Sequence, residues 1–273
     1  MKKKSARILA LTLALTSALA LTGCGTEAGA DDTTIRVGAS PAPHAEVLEV
    51  IADNLEEEGY TLEIVEYNDY ILPNTGVSEG DLDANYFQHI SYLNNYNEEN
   101  GTDLVSAGSI HYEPFALYAG KTASIDALTS GAQIAVPNDG TNEGRALKLL
   151  EAEGLITLDP DAGFLATKLD IVENPLNLDI VEMEAAQLPR VLTDVDMAVI
   201  NGNYAIDAGL SLADAVATEN ADSTAVREQY VNIIATRPEL KDDECIAALV
   251  EVLKGDDFAA YLQEAFGDSV QAF

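Results

Sequence analysis

The sequence predicts an α/β fold with mostly parallel sheets, arranged as two lobes that share one hydrophobic system. Short apolar segments of strand length alternate along the chain with stretches whose apolar residues recur at helical spacing. No Pro-, Gly- or Ser-rich linker interrupts residues 35–273, and no internal repeat is visible. The 250 residues that follow position 23 exceed one typical domain, so two lobes in continuous contact fit better than two domains on a tether.

The first element is a targeting segment. Lys2, Lys3, Lys4 and Arg7 precede an apolar run of 15 residues, Ile8–Thr22, which is shorter than the roughly 20 residues a helix needs to span a bilayer. Residues 1–23 therefore read as a signal peptide. "LTGC", Leu21–Cys24, resembles the bacterial lipobox, which implies cleavage before Cys24 and acylation of its thiol and new amino terminus, palmitate included. Residues 24–34, "CGTEAGADDTT", then form a flexible polar tether.

The folded part opens with the strand "IRVGAS" and a break at "PAP". From His44 onward Val47, Leu48, Ile51 and Leu55 mark one face of a helix that Gly59 ends, and "TLEIVEY" is the next strand. Farther along, "AQIAVP" is a strand that turns at "NDG" into the helix "TNEGRALKLLEAEG". Thr141 is its expected N-cap, Ala146, Leu149 and Leu150 its inner face, and Gly154 its stop. "LDIVEME" and "DMAVIN" are further strands, and a helix over about residues 242–254 and the segment "FAAYLQEAF" close the chain. Cys245 falls at helical spacing with Ala248, Leu249 and Val252, which reads as a packed thiol, and an acylated Cys24 leaves it no disulfide partner.

Charge excludes some functions. Loss of residues 1–23 removes four of the 14 basic side chains and no acidic one, leaving 10 basic against 47 acidic, a formal charge of −37. Such a chain repels nucleic acid and anionic lipid, so membrane attachment falls to the acyl chains on Cys24.

Four stretches place polar or aromatic residues at strand ends, where α/β sheets bind ligands. Tyr70 follows the second strand and fits either a packed rim or a ligand contact. In "NYFQHISYLNNYN", Phe87 and His89 face one way if residues 84–89 are extended, and Tyr92 joins them if a helix starts near Ser91. Core packing explains the three equally well. In "NDGTNEGRALKLL", Asn142 and Arg145 occupy a first helical turn, a natural seat for a carboxylate held by a two-pronged guanidinium, or else a capped surface helix. "DMAVINGNYAIDAG" runs a buried strand into Asn201, Gly202, Asn203 and Tyr204, suited to polar ligand contacts or simply to a turn. His44, His89 and His111 show no short-range metal-ligand spacing, and no catalytic constellation or cofactor motif is present in the sequence.

"VGASPAPHAEVLE", "PNTGVSEGDLDANYFQHISYL", "PNDGTNEGRALKLLEAEGLI", "ENPLNLDIVEMEAAQLPR" and "DVDMAVINGNYAIDAGL" resemble the NlpA family of methionine-binding lipoproteins, the substrate-binding components of ABC importers. The similarity runs from about Ile35 to the end of the chain.

The resemblance implies a two-lobe periplasmic-binding-protein fold, type II-like, with a ligand cleft between the lobes. Lobe 1 would comprise 35–116 and 231–273, and lobe 2 would comprise 117–230. It carries the family's pocket onto Tyr70, Phe87, His89, Tyr92, Asn142, Arg145, Asn203 and Asn232. Arg145 would take the α-carboxylate, the asparagines the polar groups, and the aromatic residues the thioether. Glu113, in the first crossing "SIHYEPFALY", receives no ligand role.

The expected function is a lipid-anchored protein on the extracytoplasmic face of the cell membrane that passes methionine, L-methionine foremost, to an ABC transporter permease, without catalysis. D-methionine, a methionine derivative or dipeptide, and another apolar amino acid are the alternatives within that class. A metal-dependent hydrolase built on His89, His111 and Glu113, and a lipid-anchored adhesin, are the alternatives outside it.

Overall fold

The computed structural model describes residues 33–273. The expected signal peptide, Cys24 and most of the tether lie outside the described residues. Among the described residues no helix is long and apolar enough to cross a membrane.

Strand β1 (Thr34–Ala39) leads through α1 (Glu46–Glu57), β2 (Thr61–Glu66), α2 (Leu72–Glu79), β3 (Ala84–His89) and α3 (Ile90–Asn100) to β4 (Val105–Tyr112). The chain crosses at residues 113–115 into β5 (Ala116–Ala119), β6 (Gln133–Pro137) and α4 (Gly140–Ala152). A small pair follows, β7 (Thr157–Leu158) and β8 (Ile171–Glu173), and then β9 (Asp179–Met183), α5 (Leu188–Val191), β10 (Met197–Ile200), α6 (Gly202–Asp207) and β11 (Ala215–Thr218). It returns through α7 (Thr224–Tyr230) to β12 (Val231–Thr236), α8 (Glu244–Val252), α9 (Asp256–Phe266) and β13 (Gln271–Ala272).

One sheet has the order β13-β4-β12-β3-β1-β2 and the other β11-β5-β10-β6-β9. Each sheet with its helices forms one lobe. The expectation of mostly parallel sheets is corrected: β2-β1-β3 and β10-β6-β9 are parallel, and the remaining pairings in these two sheets are antiparallel. The antiparallel strands cluster at the crossings. β12 arrives from the other lobe and slots between β3 and β4, a geometry that needs no helical crossover.

The central strands β3, β12 and β10 are buried on both faces, whereas the edge strand β2 alternates exposed and half-buried residues. Along β12, Ile234 packs with α1 and α8 residues such as Leu48 and Leu249, while Val231, Ile233 and Ala235 face Val77 and Leu93 of α2 and α3. Along β10, Met197 and Val199 meet Leu147 and Leu150 of α4, and Ala198 and Ile200 meet Leu188 and Tyr204. Each fully buried aliphatic side chain contributes about 1.5–3 kcal/mol, so these four layers hold the lobes rigid behind the loops between them.

Helix α1 buries Val47, Leu48, Ile51 and Leu55 and stops before Gly59, whose φ of +94° suits glycine. The N-cap of α4 is Asp139 rather than Thr141: the Asp139 carboxylate accepts from the Asn142 backbone N–H, which places Thr141 inside the first turn. Cys245 is half-buried, and burial and Asp243 push its thiol up to about 12, as befits a packing group.

Candidate ligand-binding site

The two crossings and the loops at the strand ends surround one cavity. All eight residues singled out from the sequence line it: Tyr70, Phe87, His89, Tyr92, Asn142, Arg145, Asn203 and Asn232. Gln88, Glu113, Asn201 and Gly202 complete the wall; of these, Asn201 and Gly202 lie in the stretch that the sequence offered either for polar ligand contacts or for a turn.

Local structure explains the convergence. β3 is extended through His89, which puts Phe87 and His89 on one side, and α3 begins at Ile90, which brings Tyr92 round by one turn. The aromatic end is closely packed, with ring centroids of Tyr70 at 5.6 Å from Phe87, 5.6 Å from Tyr92 and 5.0 Å from Tyr204. Tyr70 OH donates to Asn203 Oδ1 at 2.6 Å, and Tyr92 OH donates to the Tyr70 carbonyl at 3.1 Å. Burial keeps the Tyr70 phenol protonated by pushing its pKa well above the ordinary value.

His89 is the N-cap of α3. Its Nδ1 accepts from the Tyr92 backbone N–H at 3.0 Å, so the proton sits on Nε2, which donates to Asn142 Oδ1 across the lobes at 3.2 Å. Burial, reinforced by the Arg145 charge, lowers its pKa to about 3. It is a neutral, fixed donor.

Arg145 departs from the sequence reading in one respect. Its two-pronged contact goes to a protein carboxylate, Glu219, through Nε at 3.0 Å and through Nη2, and Nη2 also donates to the Glu113 carbonyl at 2.9 Å. Nη1 takes no part in these bonds, so a ligand would meet one arm of the guanidinium rather than the fork. Burial opposes the Arg145 charge, but Glu219 more than restores it.

Behind the cavity lies a polar network that sequence spacing did not reveal. The Ser40 hydroxyl is 2.6 Å from His44 Nδ1, and His44 Nε2 lies 3.1 Å from Asn232 Oδ1 and 3.4 Å from Glu113 Oε1. His111 joins Tyr86 OH through Nδ1 and Glu113 Oε1 through Nε2 at 2.7 Å. Burial pushes His44 down to about 4. Burial works against ionisation of Glu113, but the His111 hydrogen bond and the adjacent His44 and Arg145 hold its pKa below the usual carboxylate value.

His44, His111 and Glu113 have the donor types of a metal site. Their geometry fits hydrogen bonding better: ligands at about 2.0–2.1 Å on a tetrahedral ion stand about 3.3 Å apart, whereas His111 Nε2 is 2.7 Å from Glu113 Oε1. With Nε2–H on both rings, every nitrogen of the pair has a partner. His89 belongs to a different hydrogen-bond set, so the hydrolase trio of His89, His111 and Glu113 is not assembled.

Two α/β lobes that close loops over a buried cavity with one aromatic and one polar end define a substrate-binding protein of the periplasmic-binding class. The NlpA lipoprotein family model matches residues 35–273, and the chain belongs to that family. It is 46% identical, over 248 residues and 89% of each chain, to the D-methionine-binding lipoprotein MetQ of Salmonella typhimurium. It resembles the structure of a nutrient-binding protein from Burkholderia cenocepacia bound to methionine, with a TM-score of 0.83, 43% identity, and coverage of 87% of this chain and 99% of that one. A periplasmic substrate-binding protein of an ABC transporter from Coxiella burnetii gives 0.82 and 40%, covering 88% and 100%.

Proposed function

We propose that the protein captures methionine in the cavity between its lobes and delivers it to an ABC importer permease, held at the extracytoplasmic membrane face by acyl chains on Cys24. The observation that carries this reading is the division of one cavity into a wall of Tyr70, Phe87 and Tyr92 and a wall of Asn142, Arg145, Asn203 and Asn232. A thioether side chain suits the polarisable aromatic wall. The remaining arm of Arg145 and the amide nitrogens of Asn203 and Asn232 would receive the carboxylate: Tyr70 and His44 already engage the oxygens of these two amides.

Contacts from both sides of the crossings imply that the lobes, 35–116 with 231–273 and 117–230, close on the ligand. A binder rather than a catalyst is the better reading, because His44, His89 and His111 are each tied to protein partners and none stands free as a base in the cavity. The relatives named above support methionine as the ligand, and the name of one of them makes the D-enantiomer the alternative to weigh.

Mass spectrometry of the small molecules released on denaturing the purified full chain, with chiral separation, tests the reading. Methionine at near-stoichiometric yield is expected, L in excess over D. Release of an unrelated molecule, with no uptake of added methionine, would contradict it.

A further inference from the structure

Helix α6 follows β10 in the lobe of the five-stranded sheet, yet it grips the other lobe at three places. Asn203 Oδ1 accepts from Tyr70 OH, as described above. Tyr204 lays its ring 5.0 Å from that of Tyr70, with 31° between the planes, and its hydroxyl donates to the Asn68 carbonyl at 3.3 Å. Tyr70 is thereby drawn against the hydrophobic cluster that Tyr204 shares with Leu188 and Ile200, although its own segment belongs to the lobe of the six-stranded sheet. Ile206 reaches the opposite way. It packs against the cluster of Val37, Ala45 and Tyr86 in that other lobe, where α6 meets the turn Pro41–Ala45.

Asn68, Tyr204 and Ile206 do not line the cavity, so their contacts between the lobes need no ligand. A contact of this kind stabilises the closed arrangement of the empty chain and of the loaded chain by the same factor. We propose that α6 is a built-in clamp: Tyr204 and Ile206 are positioning residues that hold the lobes closed in the ligand-free chain, and ligand enters and leaves through a brief opening. Opening breaks the Tyr204 bond and uncovers Ile206 in either case. Weakening the clamp therefore raises the entry and exit rates together and changes the affinity little. A residue that touches the ligand would raise the exit rate alone, and one that only supports its own lobe would change neither. The inference deepens the reading that the lobes close over the cavity, and it makes closure precede the ligand.

Spin-label distance measurements on the detergent-solubilised full chain read the clamp without any ligand. The labels go to Glu57→Cys and Glu153→Cys, one exposed site on each lobe, in a Cys245→Ser background. After dialysis to remove bound small molecules, the otherwise unaltered chain is expected to show one separation, unchanged by added L-methionine. Ile206→Ala is expected to add a second, longer one. Tyr204→Phe, which removes only the hydroxyl, is expected to do the same and serves should Ile206→Ala fold poorly. Stopped-flow binding of L-methionine is expected to be faster in both directions, about 4- to 13-fold for the half-buried Ile206→Ala and about 2- to 13-fold for Tyr204→Phe. A ligand-free chain that is open without either substitution, variants that raise only the exit rate, or variants with unchanged separation and rates would overturn the clamp. A single closed separation in a chain that binds no methionine would overturn the methionine reading and leave the clamp standing.

Discussion

Arg145 and Glu219 form a buried ion pair of two hydrogen bonds at the point where the chain leaves one lobe and prepares to return. The guanidinium carbon lies 4.7 Å from the Phe115 ring centroid and 4.2 Å from that of Tyr230. Glu219 also accepts from Tyr112 OH at 2.6 Å and from the Phe115 backbone N–H at 2.8 Å. One carboxylate thus ties α4 to the first crossing, and the arginine stacks on the residue that opens the second.

Removing Arg145 strands that carboxylate. Arg145→Ala is expected to destabilise the fold by about 3–5 kcal/mol, a fall in melting temperature of about 6–20 °C at this chain length, before any loss of affinity is considered. Thermal denaturation followed by circular dichroism measures it. A fall below 2 °C would mean that the pair contributes no net stability.

His89 gives a pH signature. Its pKa is about 3 in the fold and 6.5 as an ordinary histidine, so between these values the unfolded chain binds a proton that the folded chain refuses. Stability from this residue is complete above pH 6.5 and is lost as pH falls, at about 1.4 kcal/mol per pH unit. His89→Gln should therefore show a shallower fall in urea-unfolding free energy between pH 6.5 and 5 than the wild type. Equal slopes would refute the assignment of a neutral buried imidazole.

Gly202 leaves room for Glu113. An alanine there would put Cβ 2.7 Å from Oε2 and 2.8 Å from the Glu113 Cβ, an overpacking that costs about 1–3 kcal/mol. Gly202→Ala is expected to lower the melting temperature by about 2–12 °C as Glu113 is displaced. An unchanged melting temperature would mean that the Glu113 side chain moves aside without cost.

Cys24 carries the proposed anchor. Cys24→Ala should give chain that is exported yet recovered in the soluble fraction or as uncleaved precursor, because no basic patch replaces the acyl chains. Fractionation with immunoblotting measures it. A mature, unacylated chain that stays with the membrane would contradict the anchor.

The local elements were legible because period-two and helical patterns are local: β3 followed at once by α3 set Phe87, His89 and Tyr92 together, as their spacing requires. What escaped depends on residues far apart in the chain. Nothing near Glu219 marks it as the partner of Arg145, 74 positions away, and nothing in the spacing joins His44 to Glu113. Asn201 had a local signal, an Asn-Gly after an apolar strand, but turn chemistry explains that signal equally well. Only its place beside Asn142 shows an acceptor left unpartnered. The mixed strand order escaped for the same reason: β12 enters its sheet from the other lobe, a topological fact that its own sequence does not encode.

The central claim is that the cavity between the lobes holds methionine by its sulfur-bearing side chain and its charged end together. The measurement that tests it most directly is calorimetric titration of the full chain with L-methionine and norleucine, which replaces sulfur by CH₂ at similar length. One-to-one binding of L-methionine is expected, with norleucine about 2- to 13-fold weaker, the factor that a sulfur–aromatic contact of about 0.3–1.5 kcal/mol provides. Absence of methionine binding, or norleucine binding more tightly than methionine, would contradict the account.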